Sequence, residues 1–356
     1  MENSLIRDGQ MKNELKKART QKHKKIIASI PYTLLFAYMA IFVLGCETSQ
    51  TSSGNLDTTN ITPTQSQALQ IIQNALVDED SLARVNAVEV IVTTGQIKFM
   101  PQVQRLLRDK FTPVRFAAAL AIGDLRYSPA KSSLSQSLKD EDINVIVAAA
   151  YAMGRLGSTK YFEIVRKAID NDDQTVRANA AFILGRMEDR NSLKLLKWAQ
   201  EDKDSSDKVR LQALEARARL GDDEVLPRLW AIVYSAYADD RIMGIRAIGA
   251  LATSKARDIL ITKLDDDILE VRLAAAEQLG KLGNRTGEME VLEAVEKNLT
   301  TGLDREASER ANVLAALAIG EICTPELTKF LPNLLKNESK FVRIAAAKAV
   351  LQCKMK

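Results

Sequence analysis

Histidine is almost absent from this sequence: His23 is the only one among 356 residues. A chain with so little histidine has no Ser-His-Asp or Cys-His nucleophile and no histidine-based metal site in the rest of its length. It also has no glycine-rich phosphate loop, and its acidic clusters lack the spacing of an EF-hand. We therefore predict that the protein is not an enzyme and uses no metal ion or other cofactor. Only mechanisms based on acid–acid pairs or on substrate assistance stay open.

Aromatic residues are also few, at 5% of the chain, although 46% of the residues are hydrophobic. Long stretches of Ala, Leu, Ile and Val with charges between them favour helices that pack through small residues. The formal net charge is +4, but the first 45 residues carry eight Lys/Arg against three acids, which leaves the rest of the chain at −1. A nearly neutral body does not provide the field that nucleic acid requires, so we expect no nucleic-acid partner.

The basic N-terminus leads into an uncharged stretch at residues 26–45, as in a secretion signal. The stretch ends in two aliphatic residues followed by Gly45 and Cys46, an order that resembles the bacterial lipobox. The resemblance implies that residues 1–45 are a lipoprotein signal peptide and that Cys46 carries lipid, including acyl chains such as palmitate. The alternative is an uncleaved transmembrane anchor, because about 20 apolar residues can span a bilayer.

Residues 46–66 are rich in Ser, Thr, Asn and Gln, a composition that cannot form a core and predicts a flexible tether. A tether directly after a lipidated cysteine fits a domain held at a membrane. We expect the protein in the cell envelope, and on the periplasmic side of the outer membrane if the host is Gram-negative.

A repeat occupies residues 67–356. Phrases such as those at 114–125, 176–187 and 271–282 share one pattern, and aligning them places an anchor residue in each of nine units. The anchors are Ala83, Val114, Val145, Val176, Val209, Asp240, Val271, Ala311 and Val342. Their spacings are 31, 31, 31, 33, 31, 31, 40 and 31 residues. So regular a period predicts stacked structural repeats.

Each unit contains two amphipathic helices, of which one, helix B, begins near the anchor. A small residue stands four positions after every anchor, and Gly often stands nine positions after it, which predicts close helix contacts. The pattern resembles the HEAT-like repeat of phycobilisome lyase-type proteins. It implies an all-α fold, a right-handed α-solenoid of about nine two-helix HEAT-like repeats with a period of 31.

An arginine row follows the anchors by one residue. Its members are Arg84, Arg115, Arg177, Arg210, Arg241, Arg272 and Arg343. The position shares a helix face with apolar residues, so we expect a structural ladder in which each Arg pairs with an acid of the inter-helix turn, such as Asp78, Asp109 or Asp204. The alternative is a row of Arg that binds an anionic polymer. We assign Lys348, in the last repeat, to the exposed surface.

A candidate partner site lies on the outward arc of helix B, at the positions six and ten residues after the anchor. It consists of Leu120, Tyr151, Phe182, Arg155, Arg186 and Arg219. Large apolar residues beside arginines are enriched at interfaces, although packing between neighbouring helices would explain them equally.

The function that these features favour is an envelope-anchored scaffold that binds a protein or peptide on a concave solenoid surface. One alternative is an accessory or subunit of a chromophore-lyase-type HEAT enzyme. Another is a nucleic-acid-binding HEAT protein, which the charge of the body disfavours.

Overall fold

The computed structural model describes residues 61–353, and in this range the chain is all helical, with short turns and no strand. The helices form nine two-helix repeats, which confirms the predicted all-α class. The first helices are α1 (Pro63–Ala75), α3 (Met100–Arg105), α5 (Lys131–Ser137), α7 (Phe162–Ala168), α9 (Leu193–Glu201), α11 (Leu226–Val233), α13 (Ser254–Thr262), α15 (Glu288–Glu296) and the pair α17 (Pro325–Thr328) and α18 (Leu331–Leu334). The second helices, the B helices, are α2 (Ser81–Thr93), α4 (Thr112–Asp124), α6 (Ile143–Arg155), α8 (Gln174–Arg186), α10 (Asp207–Arg219), α12 (Ala238–Leu251), α14 (Leu269–Lys281), α16 (Arg305–Ile322) and α19 (Lys340–Cys353).

Side-chain caps set where several helices begin. At α1, Thr62 and Gln65 form a capping box and Pro63 occupies the first turn, so helix begins inside the segment 46–66 that composition predicted as tether. Asp80 and Asp142 cap α2 and α6 by accepting hydrogen bonds from the backbone N–H groups two residues later. Part of the acidic character of the turns therefore comes from their role as helix caps.

The glycines nine residues after the anchors let successive B helices approach closely. A Cβ built on Gly123 would lie 2.8 Å from the Cα of Ala152, and one on Gly320 would lie 2.7 Å from the Cα of Ala349. The small residue four after the anchor faces the first helix of its own repeat instead. A Cβ on Gly244 would lie 2.8 Å from a methyl carbon of Val233. The two small-residue rows therefore serve different helix contacts.

The nine repeats close on themselves. The last helix, α19, packs against its neighbour α16 and also against α1 and α2 of the first repeat. At this junction Lys340 Nζ lies 2.7 Å from the carboxylate of Asp78. The solenoid of the described repeats thus closes into a ring, and the B helices line its inner side. Curvature that is small in each repeat adds up around nine repeats, which a local sequence pattern does not reveal.

A disulfide joins the last two B helices. Cys323, at the end of α16, is bonded to Cys353 in α19, with a Cα–Cα distance of 5.3 Å. Between residues 61 and 353, no helix is both long enough and apolar enough to span a bilayer. The predicted signal peptide, Cys46 and most of the predicted tether lie outside the described residues.

Candidate functional site

The arginine row connects consecutive repeats. Arg84 donates to the backbone carbonyl of Asp78 in the turn of its own repeat, at 2.6 Å, and to the carboxylate of Asp109 in the next turn, at 2.8 Å. Arg115 does the same with the Asp109 carbonyl and the Asp140 carboxylate. The sequence pattern led us to expect pairing with a turn acid. The structure specifies that this acid belongs to the next repeat, while the Arg's own turn supplies only a carbonyl.

The row is irregular where the repeat spacing changes. Arg177 pairs with Asp202 at 2.6 Å, and not with Asp204, because the following unit is two residues longer. Arg241 pairs with Asp266 at 2.8 Å. The remaining three arginines reach carbonyls of their own turns. These are Arg210 to Asp202 and Lys203, Arg272 to Asp266, and Arg343 to Asn337 and Glu338.

The predicted partner-site residues line the inside of the ring. Arg186 of α8 forms an ion pair with Asp124 of α4, two repeats away, which is possible only where the B helices converge. Tyr151 of α6 donates a hydrogen bond of 2.7 Å to the same carboxylate. Burial raises the pKa of the Tyr151 hydroxyl, and the negative charge of Asp124 raises it further. The sequence pattern thus predicted correctly that Tyr151 and Arg186 lie close together, but it did not identify Asp124 as the acceptor that they share.

Several residues of the candidate partner site are buried, as the packing alternative predicted. Tyr151 is 1% exposed, and Leu120 and Arg186 are buried as well. Tyr151 and Arg186 both contact Asp124 of α4, so packing between B helices encloses them. Phe182 and Arg155 are partly exposed. Arg219, also partly exposed, pairs with Glu215 of its own helix at 2.9 Å. A protein partner would therefore find little of this set accessible from outside the ring.

A second charged cluster lies inside the ring at its junction. Lys348 is 4% exposed and lies 3.6 Å from Glu89, so the assignment of Lys348 to the surface is wrong. Desolvation raises the pKa of Glu89 to about 7, although the charges of Lys348 and Lys281 act in the opposite direction. Desolvation would raise the pKa of Glu277 as well, but Lys281 at 2.6 Å, together with the charges of Arg246 and Lys348, outweighs it and lowers that pKa. The two carboxyls thus differ because only Glu277 has a hydrogen-bonded ion pair.

The most exposed aromatic side chains lie on the outer layer instead. We name the set Trp198, Trp230, Tyr234, Tyr237 and Ile261 the outer aromatic patch; its members are between 37% and 51% exposed. The rings of Trp230 and Tyr234 stack with centroids 4.6 Å apart. Trp198, Trp230 and Ile261 occur at intervals of 32 and 31 residues, so they occupy similar places on α9, α11 and α13. This spacing is visible in the sequence. The outer aromatic patch was missed because the predicted partner site was sought on the B helices alone, and these residues lie on the first helices.

No group of His, Cys, Asp and Glu in the described part of the chain has the arrangement of a metal site. The candidate functional features are therefore the outer aromatic patch and the charged groups inside the ring.

Comparison with known proteins identifies the class of repeat. The model for HEAT repeats matches residues 99–177 and 162–243. The chain therefore contains HEAT repeats across these ranges, as the sequence pattern predicted, while no curated protein sequence matches it.

Several solved structures resemble the fold. Human deoxyhypusine hydroxylase in complex with glycerol is 16% identical over 75% of this chain and 99% of that chain, with a TM-score of 0.36. The complex of CpcE and CpcF of phycocyanin lyase from Nostoc sp. PCC7120 is 19% identical over 71% of this chain and 94% of that chain, with a TM-score of 0.37. Importin beta is 15% identical over 79% of this chain and 45% of that chain, with a TM-score of 0.33.

Proposed function

We propose that this protein is a lipid-anchored scaffold of the cell envelope that binds a protein partner through the outer aromatic patch. The observation that carries the proposal is the exposure of Trp198 and Trp230 on the consecutive outer helices α9 and α11, and of Tyr234 and Tyr237 in the turn after α11, in a chain with few aromatic residues. Tryptophan and tyrosine are enriched at the centres of protein interfaces because they bury much apolar area and retain a polar group. In this proposal the protein has no catalytic activity of its own and takes no cofactor.

The proposed binding surface is therefore the outer layer of the ring, whereas the sequence pattern led us to expect a partner on the concave side. Among the described residues, successive B helices pack against one another on the inner side of the ring. On the outer layer, the apolar rings are flanked by charged side chains, such as the Lys197–Glu224 pair at 3.5 Å. An apolar centre with a polar surround is the usual composition of a transient protein interface.

Two features support the proposed location in the cell envelope: the lipobox-like sequence that ends at Cys46, and the disulfide between Cys323 and Cys353. Disulfides form and persist in oxidising compartments such as the bacterial periplasm, and are rare in the cytosol. An exported chain is consistent with both features. Residues 46–60 would then lie between the lipid and the ring and allow the patch to reach partners near the membrane.

Site-specific photo-crosslinking in intact cells tests the partner site. A photoreactive residue at Trp230 should give one discrete crosslinked product. Met289, on the outer surface of α15 and 66% exposed, provides the matched control position and should give none. Equal products at both positions, or none at Trp230, would contradict the proposed site.

The anchor has a separate test. Intact-mass analysis of the mature protein should show loss of residues 1–45 and a lipid-modified Cys46. Cys46→Ser should block lipidation and processing. Retention of residues 1–45 in the wild-type protein would instead support the transmembrane-anchor alternative and contradict a lipoprotein.

A further inference from the structure

Three arginines from consecutive B helices meet inside the ring, and two of them have fewer acceptors than they require. The three are Arg155, Arg186 and Arg219, each ten residues after its anchor. The Arg186 side chain is 6% exposed, and its Nη2 donates to the carboxylate of Asp124. Among the described residues, its Nε and Nη1 are buried without a hydrogen-bond acceptor, and so is Nε of Arg155. A buried guanidinium N–H without an acceptor is costly, so three such atoms in one cluster require an explanation.

Each arginine of the cluster has one carboxylate partner. Asp124 already accepts from Tyr151 and Arg186, and Glu215 pairs with Arg219. The carboxylate nearest to Arg155 belongs to Glu188, which is largely exposed and 3.8 Å away. Arg186 and Arg219 lie on B helices that approach closely, since a Cβ on Gly185, next to Arg186, would lie 2.8 Å from the Cα of Ala216, one turn before Arg219. The carboxylates of Asp124 and Glu215 are already engaged, and the pair of Arg155 with the exposed Glu188 is the longest of the three.

We propose that this cluster is a binding site for a small oxyanion, held by Arg155, Arg186 and Arg219 at the interior of the ring. Guanidinium groups match the geometry of phosphate and carboxylate oxygens, and such charge-assisted hydrogen bonds are among the strongest in proteins. An anion would supply the acceptors that Arg186 and Arg155 lack. The partial exposure of the Arg155 and Arg219 side chains, at 17% and 14%, provides access from solvent for a small ligand.

Titration calorimetry of the full-length protein with inorganic phosphate tests the proposal, and acetate in a parallel titration distinguishes a phosphate ligand from a carboxylate. At least one of the two anions should bind at one site per chain. Arg186→Gln should weaken that binding by about tenfold or more, as expected for loss of a charge-assisted hydrogen bond. Arg285→Gln, at an exposed arginine outside the ring interior, is the matched control and should bind like wild type.

A second variant keeps the test decisive if Arg186→Gln is too unstable, since that change leaves Asp124 without its ion-pair partner. Arg155→Gln removes a guanidinium whose only ion pair is long and exposed, so its melting temperature should stay close to wild type while anion binding weakens. Bound anion should also raise the melting temperature of wild type more than that of Arg155→Gln. Failure of both anions to bind at millimolar concentration would overturn the proposal, and so would equal affinities in wild type and Arg155→Gln.

Discussion

Lys348, in the last helix, lies 3.6 Å from Glu89 in the second helix, so opposite ends of the described chain meet in one buried ion pair. A second pair, Lys340 with Asp78, joins the same two repeats at the turns. The junction between the ninth and first repeats therefore combines helix packing with electrostatic contacts. The titratable carboxyl of Glu89 lies at this junction, so its protonation should affect closure of the ring.

Stability should depend on the protonation of Glu89. Desolvation raises the pKa of Glu89 from 4.5 to about 7 in the folded protein, so the folded state binds this proton more tightly than the unfolded chain does. The associated stability is full below the unfolded pKa and is lost as pH rises through about 7. Urea unfolding should show that wild type loses up to about 3 kcal/mol more than Glu89→Gln between about pH 4.5 and pH 8. Parallel pH profiles for the two proteins would contradict the buried carboxyl.

Removing a buried arginine of the ladder should destabilise the protein strongly. Arg177 is 6% exposed and pairs with Asp202, whereas Arg210, in the next repeat, is 38% exposed and has only carbonyl contacts and an exposed acid. We expect Arg177→Ala to destabilise the protein clearly more than Arg210→Ala, because it removes a buried guanidinium that donates hydrogen bonds to Asp202 and Ser205. Arg210→Ala should cost about 1 kcal/mol or less. Chemical denaturation measures both, and equal costs would mean that burial does not determine the strength of the ladder.

Tyr151 should behave as a core residue. Tyr151→Ala should cost about 3–5 kcal/mol of unfolding free energy, as other large-to-small core substitutions do. Tyr151→Phe keeps the ring and loses only the hydrogen bond to Asp124, so its cost should be about 1–2 kcal/mol. Thermal unfolding of both variants distinguishes the two contributions. If Tyr151→Ala melted like wild type, the side chain would have to face solvent.

The disulfide should be present in protein recovered from the cell envelope. Thiol labelling under denaturing conditions should modify Cys323 and Cys353 only after reduction, with the reduced sample as the control. Loss of a native disulfide typically costs about 2–4 kcal/mol, so the double variant Cys323→Ser/Cys353→Ser should melt at a lower temperature. Free thiols at both positions in the unreduced protein would argue against an oxidising location.

The sequence predicted the repeats well because each repeat depends on local patterns. The 31-residue period located the B helices, and the small residues after each anchor indicated close helix contacts, as the Gly123–Ala152 approach demonstrates. The inward direction of the arginine row also followed from helix geometry. These features need only neighbouring residues and neighbouring repeats.

What the sequence did not reveal depends on contacts between distant repeats. Lys348 is enclosed at the junction of the ninth and first repeats, where it lies beside Glu89, and a pattern within one repeat does not reveal that junction. The Arg186–Asp124 pair spans two repeats and follows no repeat-to-repeat rule. The disulfide did leave a signal, because Cys323 and Cys353 lie 30 residues apart, close to one period, at the ends of consecutive B helices.

Closure of the ring is the central structural claim, and a distance measurement between spin labels tests it most directly. Positions 79, 110 and 338 are exposed and each lies four residues before an anchor, so they are equivalent sites in the first, second and ninth repeats. Pulsed electron resonance on the pair 79 and 338 should give a short distance similar to that of the adjacent-repeat pair 79 and 110. An open solenoid would separate 79 from 338 by eight repeats at about 10 Å each. A long distance for that pair, with the 79–110 distance unchanged, would contradict the ring.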